Sequence, residues 1–458
     1  MPSLKASAEQ EATKHGGKEI RKFNVLSANV VEIAVEALEA LAKHAGVHSI
    51  SLDAPLKAAQ VASESHVRAT SGAEAAAQTY GAVGAGIGIA IIDSGIANVP
   101  DLQNVVKSVN FTGDGQGPRS DPFGHGTHVA GLAAGSGAMS GGRFKGIAPG
   151  ASLIDLRVLT SDGGGLTSDA ISAVEWVIAN RNTIGDNGQP MNIRVINLSL
   201  GHAPFEPTAT DPLTTICREA VRQGIVVVAA AGNLGKNDAG TPVYGGIISP
   251  GTERAVLTVG AMTTWGTDVR TDDALATYSS RGPTYFENMI KPDIAAPGSN
   301  LVAPQSPGST LINQYPSLDI EGNYMKLSGT SMAAPVAAGA AALILEKKPG
   351  LKPNAVKAIL MYTAEKRNQN VMEAGAGYIN IVGALNLAAN INSNSSVGAY
   401  WLLNNGLGLH YSNVIAGSPV LWSQALLWRN TLYVGTAIHY HSEAWSQTIV
   451  WGDTIVWG

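Results

Sequence analysis

From about Gly84 to Ala389 the chain alternates two kinds of apolar segment. One kind is short, continuous and β-branched: "GIGIAIID", "SLIDLRVL", "IRVINLSL", "GIVVVAAAG" and "AVLTVGA", runs that end at glycine or a polar residue. Uninterrupted runs of this length predict strands buried on both faces. Between them lie segments with helical spacing: "HVAGLAAG", "TSDAISAVEWVIANR" and "DPLTTICREAVRQG". "MAAPVAAGAAALILEK" predicts a further helix, in which Pro335 falls in the first turn. Strand-helix alternation predicts an α/β fold whose mostly parallel central sheet carries helices on both faces. Ligands of such sheets bind beyond the carboxyl ends of the strands, so the polar residues that close the apolar runs are the ones to inspect.

The flanks differ in texture. Residues 1–65 form a charged block: "NVVEI" predicts a strand, "AVEALEALAKHAG" a helix ending at Gly46, and "VHSISLD" a second strand. "LKAAQVASESHVRATSG" has no strong periodicity and is expected to be a linker. After residue 390, "NINSNSSVG" is polar, and the remaining tail holds six of the eight tryptophans and ends in the tandem repeat "TIVWGDTIVWG". Three regions are expected: 1–65, 66–390 and 391–458.

Composition narrows the function. The 458 residues are 45% hydrophobic but only 14% charged, with 53 glycines, which argues for a compact, loop-rich chain. A net charge of −5 without a basic run points away from nucleic acid. The single cysteine, Cys217, rules out an intrachain disulfide. No stretch reaches the length of uncharged apolar sequence that a membrane span needs, and the polar N-terminus does not read as a secretory signal.

Four residues stand where chemistry is expected. Asp93 closes "GIAIID"; a turn-forming aspartate before glycine is the plainer account of it. In "GHGTHVAG", His125 and His128 lie three apart; His125 stands at the predicted helix start and suits a general base, whereas His128 lies inside the helix and is taken as structural. No neighbouring Cys, Asp or Glu completes a zinc set around them. Asn233 closes "VVVAAAGN", either as a turn residue or as an amide donor aimed into a site. Ser331 in "LSGTSMAAP" opens a helix, either as a cap or as a nucleophile whose oxyanion the free N–H groups and the helix dipole would favour. A serine hydroxyl needs an adjacent base, and that base needs an orienting acid. The chain order Asp…His…Ser is that of subtilisin.

These motifs resemble those of the subtilisin-like serine proteases. "IIDSGI", "GHGTHVAG" and "GTSMAAP" are similar to the family's aspartate, histidine and serine motifs, and "GIAPGA", "NLSLG", "AAGN", "YSSRGP" and "KPDIAAPG" extend the likeness. The resemblance implies a three-layer subtilisin-like fold and a serine endopeptidase. It implies Asp93 as orienting acid, His125 as general base and acid, Ser331 as nucleophile, and Asn233 with the Ser331 N–H as oxyanion hole. It also implies that Gly163, Gly164 and Gly165 and, opposite them, Ser199, Leu200 and Gly201 flank a polypeptide substrate as extended edges. Small residues at Ala230, Ala231 and Gly232 would leave the S1 pocket open, giving broad specificity with a tilt to large apolar or aromatic residues.

Other expectations follow from the same likeness. "VEALEALAKHAGVHSISLDAPL" resembles the end of the family's prodomain, an intramolecular chaperone and inhibitor, although the usual first strand and most of the first helix are missing. A self-processing zymogen cut within residues 50–70, secreted and monomeric, is expected; either the chain's start is internal or the module is shortened, and a lost upstream segment would account for the missing signal peptide. The tail resembles Trp-Gly repeats of some exported bacterial members, and its abrupt end reads as a further truncation. No cofactor is required. Where calcium-binding members insert a ligand loop, "GSGAMSGGRFKG" has no carboxylate or asparagine, so the strongest family calcium site is doubtful and only a weaker, unlocated one is left open. The alternative is a catalytically silent peptide-binding protein on the same scaffold.

Overall fold

The structure, a computed structural model, describes residues 10–23, 28–47, 50, 66–392, 401–403 and 409–435. The chain divides into two compact units, Met1–Gln60 and Val61–Gly458. In the first unit, β1 (Lys18–Phe23) pairs antiparallel with β2 (Ala28–Glu32). β2 overlaps the predicted "NVVEI", but β1 was not predicted. Its sequence, "KEIRKF", shows no clean alternation, and a register shift between Glu19 and Arg21 interrupts its pairing. The predicted helix is shorter than its periodicity suggested: a 3-10 turn at Val35–Ala37 leads into α1 (Leu38–Ala42). Most of "VHSISLD" lies outside the described residues.

In the second unit, α2 (Val67–Ser71) and α3 (Ala73–Tyr80) lead to β3 (Gly88–Asp93), β4 (Val105–Asn110), α4 (His125–Ala134), β5 (Ser152–Arg157) and α5 (Thr167–Asn180). Next come β6 (Ile193–Leu198), α6 (Pro212–Arg222), β7 (Val226–Ala230), β8 (Leu257–Thr263), β9 (Ala274–Leu275) and β10 (Ile294–Pro297). The small sheet β11 (Leu301–Pro304), β12 (Asp319–Ile320) and β13 (Tyr324–Leu327) precedes α7 (Thr330–Lys347), α8 (Pro353–Thr363) and α9 (Ile381–Asn390).

The main sheet runs β10-β8-β7-β6-β3-β5-β4, all parallel, with β9 added antiparallel to β8. Successive residues of β3 serve opposite faces: Ile89 and Ile91 join the core that contains α4 and α7, and Ala90 and Ile92 the core that contains α5 and α6. That is why its apolar run is continuous. The expected three-layer α/β fold is therefore present. The half-exposed edge strand β4 was not predicted, because its sequence "VVKSVN" is neither continuously apolar nor strictly alternating. Strand order reverses at β3, which makes its carboxyl end the switch point of the sheet.

α7 is buried on every side from Met332 to Leu345. A helix apolar all round belongs in a core or a membrane, and alanine and glycine let this one lie against five strands of the sheet, β3, β6, β7, β8 and β10. Among the described residues no helix is long and apolar enough to cross a membrane.

Packing continues past the boundary expected at residue 390. The hairpins β14 (Ser412–Ile415)–β15 (Ser418–Leu421) and β16 (Ala425–Trp428)–β17 (Thr431–Val434) lie against α8 and α9, with Trp401, Trp422 and Leu426 buried. The Trp422 Nε1–H donates to Asn413 Oδ1 at 2.7 Å, and Asn413 exchanges amide hydrogen bonds with Asn380, which caps α9. The polar stretch "NSNSSVG" hid this, because the apolar anchors that follow it are single residues without period. The "TIVWG" repeats lie outside the described residues.

Candidate active site

β3 carries Asp93 to the carboxyl edge of the sheet, fully buried. α4 begins at His125 after Gly124, whose φ of 100° is a left-handed conformation that only glycine adopts readily. Gly126 allows the close approach that follows: a Cβ there would stand 2.2 Å from the Gly95 carbonyl oxygen and 3.1 Å from Asp93 Cβ. His125 Nδ1 thus lies 2.7 Å from Asp93 Oδ1. A carboxylate only accepts, so Nδ1 carries the proton and Nε2 is left basic. Burial pushes the His125 pKa down, but attraction to Asp93, the hydrogen bond and the nearby Asp121 outweigh it, and the net shift is upward. His128 sits inside α4, fully buried, with Nε2 on the Leu301 carbonyl at 3.0 Å. Burial pushes its pKa down to about 3, so it is a neutral core histidine, as expected.

Ser331 occupies the first turn of α7, after Gly329 and Thr330. Its hydroxyl donates to the Ser199 carbonyl at 3.0 Å rather than to His125, and the Ser199 hydroxyl donates back to the Ser331 carbonyl at 2.7 Å. Pro335 explains the second bond. The sequence reading placed it in the first turn; it lies inside the helix, four residues after Ser331. Lacking an N–H, it leaves the Ser331 carbonyl without its helical donor, and Ser199 fills the gap.

Asn233 follows β7 by three residues. Its Oδ1 accepts the Thr330 N–H at 2.9 Å and the Thr330 hydroxyl at 3.0 Å. With the oxygen committed to the head of α7, the Nδ2 donors remain for another acceptor, close to the unpaired Ser331 N–H. Such a pair of donors can stabilise an oxyanion.

The six residues expected to flank substrate come together. Gly163, Gly164 and Gly165 on one side and Ser199, Leu200 and Gly201 on the other line one cavity of about 380 Å³ beside His125. Phe123, Leu159, His202 and Leu213 line it too, and were not singled out from sequence. Gly163 makes room for the Phe123 ring, since a Cβ would come within 2.5 Å of it. Ala231 and Gly232 are not part of this cavity. They are buried behind Asn233, and the Gly232 N–H donates to Thr330 Oγ1 at 3.1 Å.

The segment after α4 does not fit a calcium ion. Its "GSGAMSGGRFKG" stretch supplies no carboxylate, and the buried Asp101 beside it is already occupied by the Met139 N–H at 2.7 Å and the Tyr324 hydroxyl at 2.8 Å. Among the described residues no group of three or more His, Cys, Asp or Glu is arranged to hold a metal.

The profile of the Subtilase family matches residues 84–378, a span that contains Asp93, His125, Asn233 and Ser331. The chain is 36% identical over 363 residues to serine protease AprX of Bacillus subtilis (strain 168), covering 78% of each protein. It is 33% identical over 395 residues to subtilisin E of the same organism, covering 84% of this chain and 87% of that one. Among solved structures, a protein described as S41 psychrophilic protease is 30% identical with a TM-score of 0.52, covering 65% of this chain and 92% of that one. Sphericase is 27% identical with a TM-score of 0.52 and the same coverage. A profile match across most of the second unit, with relatives this similar over most of their own length, makes the chain a member of the subtilase family and a serine-type endopeptidase.

Proposed function

We propose that this endopeptidase works through Asp93, His125 and Ser331 by way of an acyl-enzyme. The observation that carries the reading is the 2.7 Å Asp93–His125 pair at the mouth of a cavity walled by two extended segments. A substrate strand laid between Gly163–Gly165 and Ser199–Gly201 brings its carbonyl carbon to Ser331. The hydroxyl leaves the Ser199 carbonyl, gives its proton to His125 Nε2 and attacks. The oxyanion is held by the Ser331 N–H and Asn233 Nδ2, and Asp93 stabilises the imidazolium. Collapse transfers the proton from His125 to the departing amine, and a water activated by His125 then releases the acyl group.

Residues 1–65 are a partial prodomain and linker of a self-processing zymogen, cut within residues 50–70 and upstream of Val67. Supporting this, Val67, Thr70 and Ser71 are buried within the second unit and so belong to the mature enzyme. Broad specificity, a monomeric state and export complete the reading; the open, glycine-walled cavity supports the first and the family resemblance the other two. A fluorophosphonate probe should label the mature enzyme, and Ser331→Ala should neither label nor self-process. Full labelling of that variant would sink the assignment.

A further inference from the structure

We propose that Asp121 is a positioning residue of this active site: its buried carboxylate, acting through Ser94, ties the end of β3 to the first turn of α4 and thereby fixes His125 against Asp93. The proposal rests on the triad reading above. Asp121 is 3% exposed and touches neither His125 nor Ser331 by a hydrogen bond. Its Oδ1 accepts the Ser94 hydroxyl at 2.8 Å and the Gly124 N–H at 2.7 Å. Its Oδ2 accepts the Thr127 N–H at 2.8 Å and the Thr127 hydroxyl at 2.6 Å.

The neighbours complete the tie. Ser94 follows Asp93 in the chain, and its Oγ accepts the Gly126 N–H at 2.9 Å while donating to Asp121. Thr127 Oγ1 in turn accepts the Ala97 N–H at 2.9 Å. The backbone N–H groups on both sides of His125, at Gly124, Gly126 and Thr127, are therefore held by one connected set of side chains rooted at the end of β3. Gly124 has no side chain with which to cap α4, and Asp121 supplies the cap from three residues upstream. Burial pushes the Asp121 pKa up, while the two backbone N–H groups and two hydroxyls that donate to its oxygens oppose that shift by favouring the carboxylate.

Charge adds a second effect. Asp93 on β3 and Asp121 before α4 both favour protonated His125, and His128 on its own helix is neutral. Behind Asp121 lie Asp155 on β5, lifted to about 7 chiefly by burial, and Arg119. Removing the charge at 121 thus lowers the pKa of His125, whereas removing the Ser94 hydroxyl leaves that charge in place.

The test is the pH profile of kcat/KM on a peptide anilide, with full-length Asp121→Asn, Ser94→Ala and Ser94→Thr each allowed to mature and normalised by active-site titration. Asp121→Asn should lose about tenfold to a hundredfold in kcat, the scale of a small misplacement of reacting groups, with KM within about threefold. Its acid limb should move to lower pH. Ser94→Ala should lose several-fold in kcat with the limb unmoved, and Ser94→Thr should recover most of it. A folded, titratable Asp121→Asn with the parent's kcat and acid limb overturns the proposal. If Asp121→Asn does not fold, Ser94→Ala decides, and the parent's kcat in that variant overturns it. An inert parent overturns the triad reading as well, whereas an active parent with indifferent variants overturns the positioning role alone.

Discussion

Asn233 and Thr330 are joined twice: one amide oxygen accepts both the backbone N–H of Thr330 at 2.9 Å and its hydroxyl at 3.0 Å. This pairing orients the amide, since a flipped Asn233 would set NH₂ against two donors. Asn233→Ala should lower kcat by about 10²–10³ with little change in KM, the range known for the oxyanion-hole amide of a subtilisin, a member of this family. Thr330→Val keeps the N–H and loses the hydroxyl, so a loss of only several-fold is expected from steady-state kinetics on the same substrate.

The Asp93–His125 pair makes a prediction about pH. Burial disfavours the imidazolium, and Asp93 and Asp121 outweigh it, so the folded pKa is raised above the ordinary value of about 6.5. In the proposed mechanism the active form has His125 neutral, so kcat/KM should rise with pH through a midpoint above that value. In Asp93→Asn the limb should move to lower pH and kcat should fall by about 10⁴. The same shift stabilises the fold: the contribution is complete below the unfolded pKa and is lost as pH rises through the folded one. Titration of the His125 ring by NMR in Ser331→Ala checks the direction without turnover.

Gly126 is predicted to resist substitution. A Cβ 2.2 Å from the Gly95 carbonyl oxygen cannot be accommodated without moving α4 off the end of β3. Gly126→Ala should cost about 1–3 kcal/mol in unfolding free energy, measured by denaturant titration of an inhibited enzyme, and most of kcat. Parent-like stability and rate in that variant would refute the close-approach argument.

The tail contributes to stability through residue 435. Trp422 is 4% exposed, and its indole N–H is bonded to Asn413. Trp422→Ala should destabilise the protein by about 3–5 kcal/mol, as large-to-small changes in a packed core do. Ending the chain at residue 395 should lower Tm further, because Trp401 and both hairpins leave with it. An unchanged Tm would place the tail outside the folded unit.

The strands and helices around the site were legible because β3, β5, β6, β7 and β8 are buried on both faces and so are written as unbroken apolar runs. The ends of those runs pointed to Asp93 and Asn233, and the head of an alanine-rich helix to Ser331. β4 and the two hairpins were not legible, since their burial depends on neighbours distant in sequence. Asp121 stood in plain view four residues before His125, in "DPFGH". Nothing in that stretch tells a cap from a surface turn until Ser94 is known to lie beside it.

By itself the sequence determined the α/β class, the order of Asp, His and Ser, and the closeness with which α7 and α4 can approach the sheet, because period and side-chain size are local properties. Only the tertiary structure decided that Ser331 rests on Ser199, that Asn233 is oriented by Thr330, that Asp101 is bonded to Met139 and Tyr324, and that the hairpins within residues 412–434 pack on α8 and α9. Each of these joins segments separated by tens to hundreds of residues, and hydrogen bonds and burial at that range exist only once the sheet has set which strand ends are neighbours.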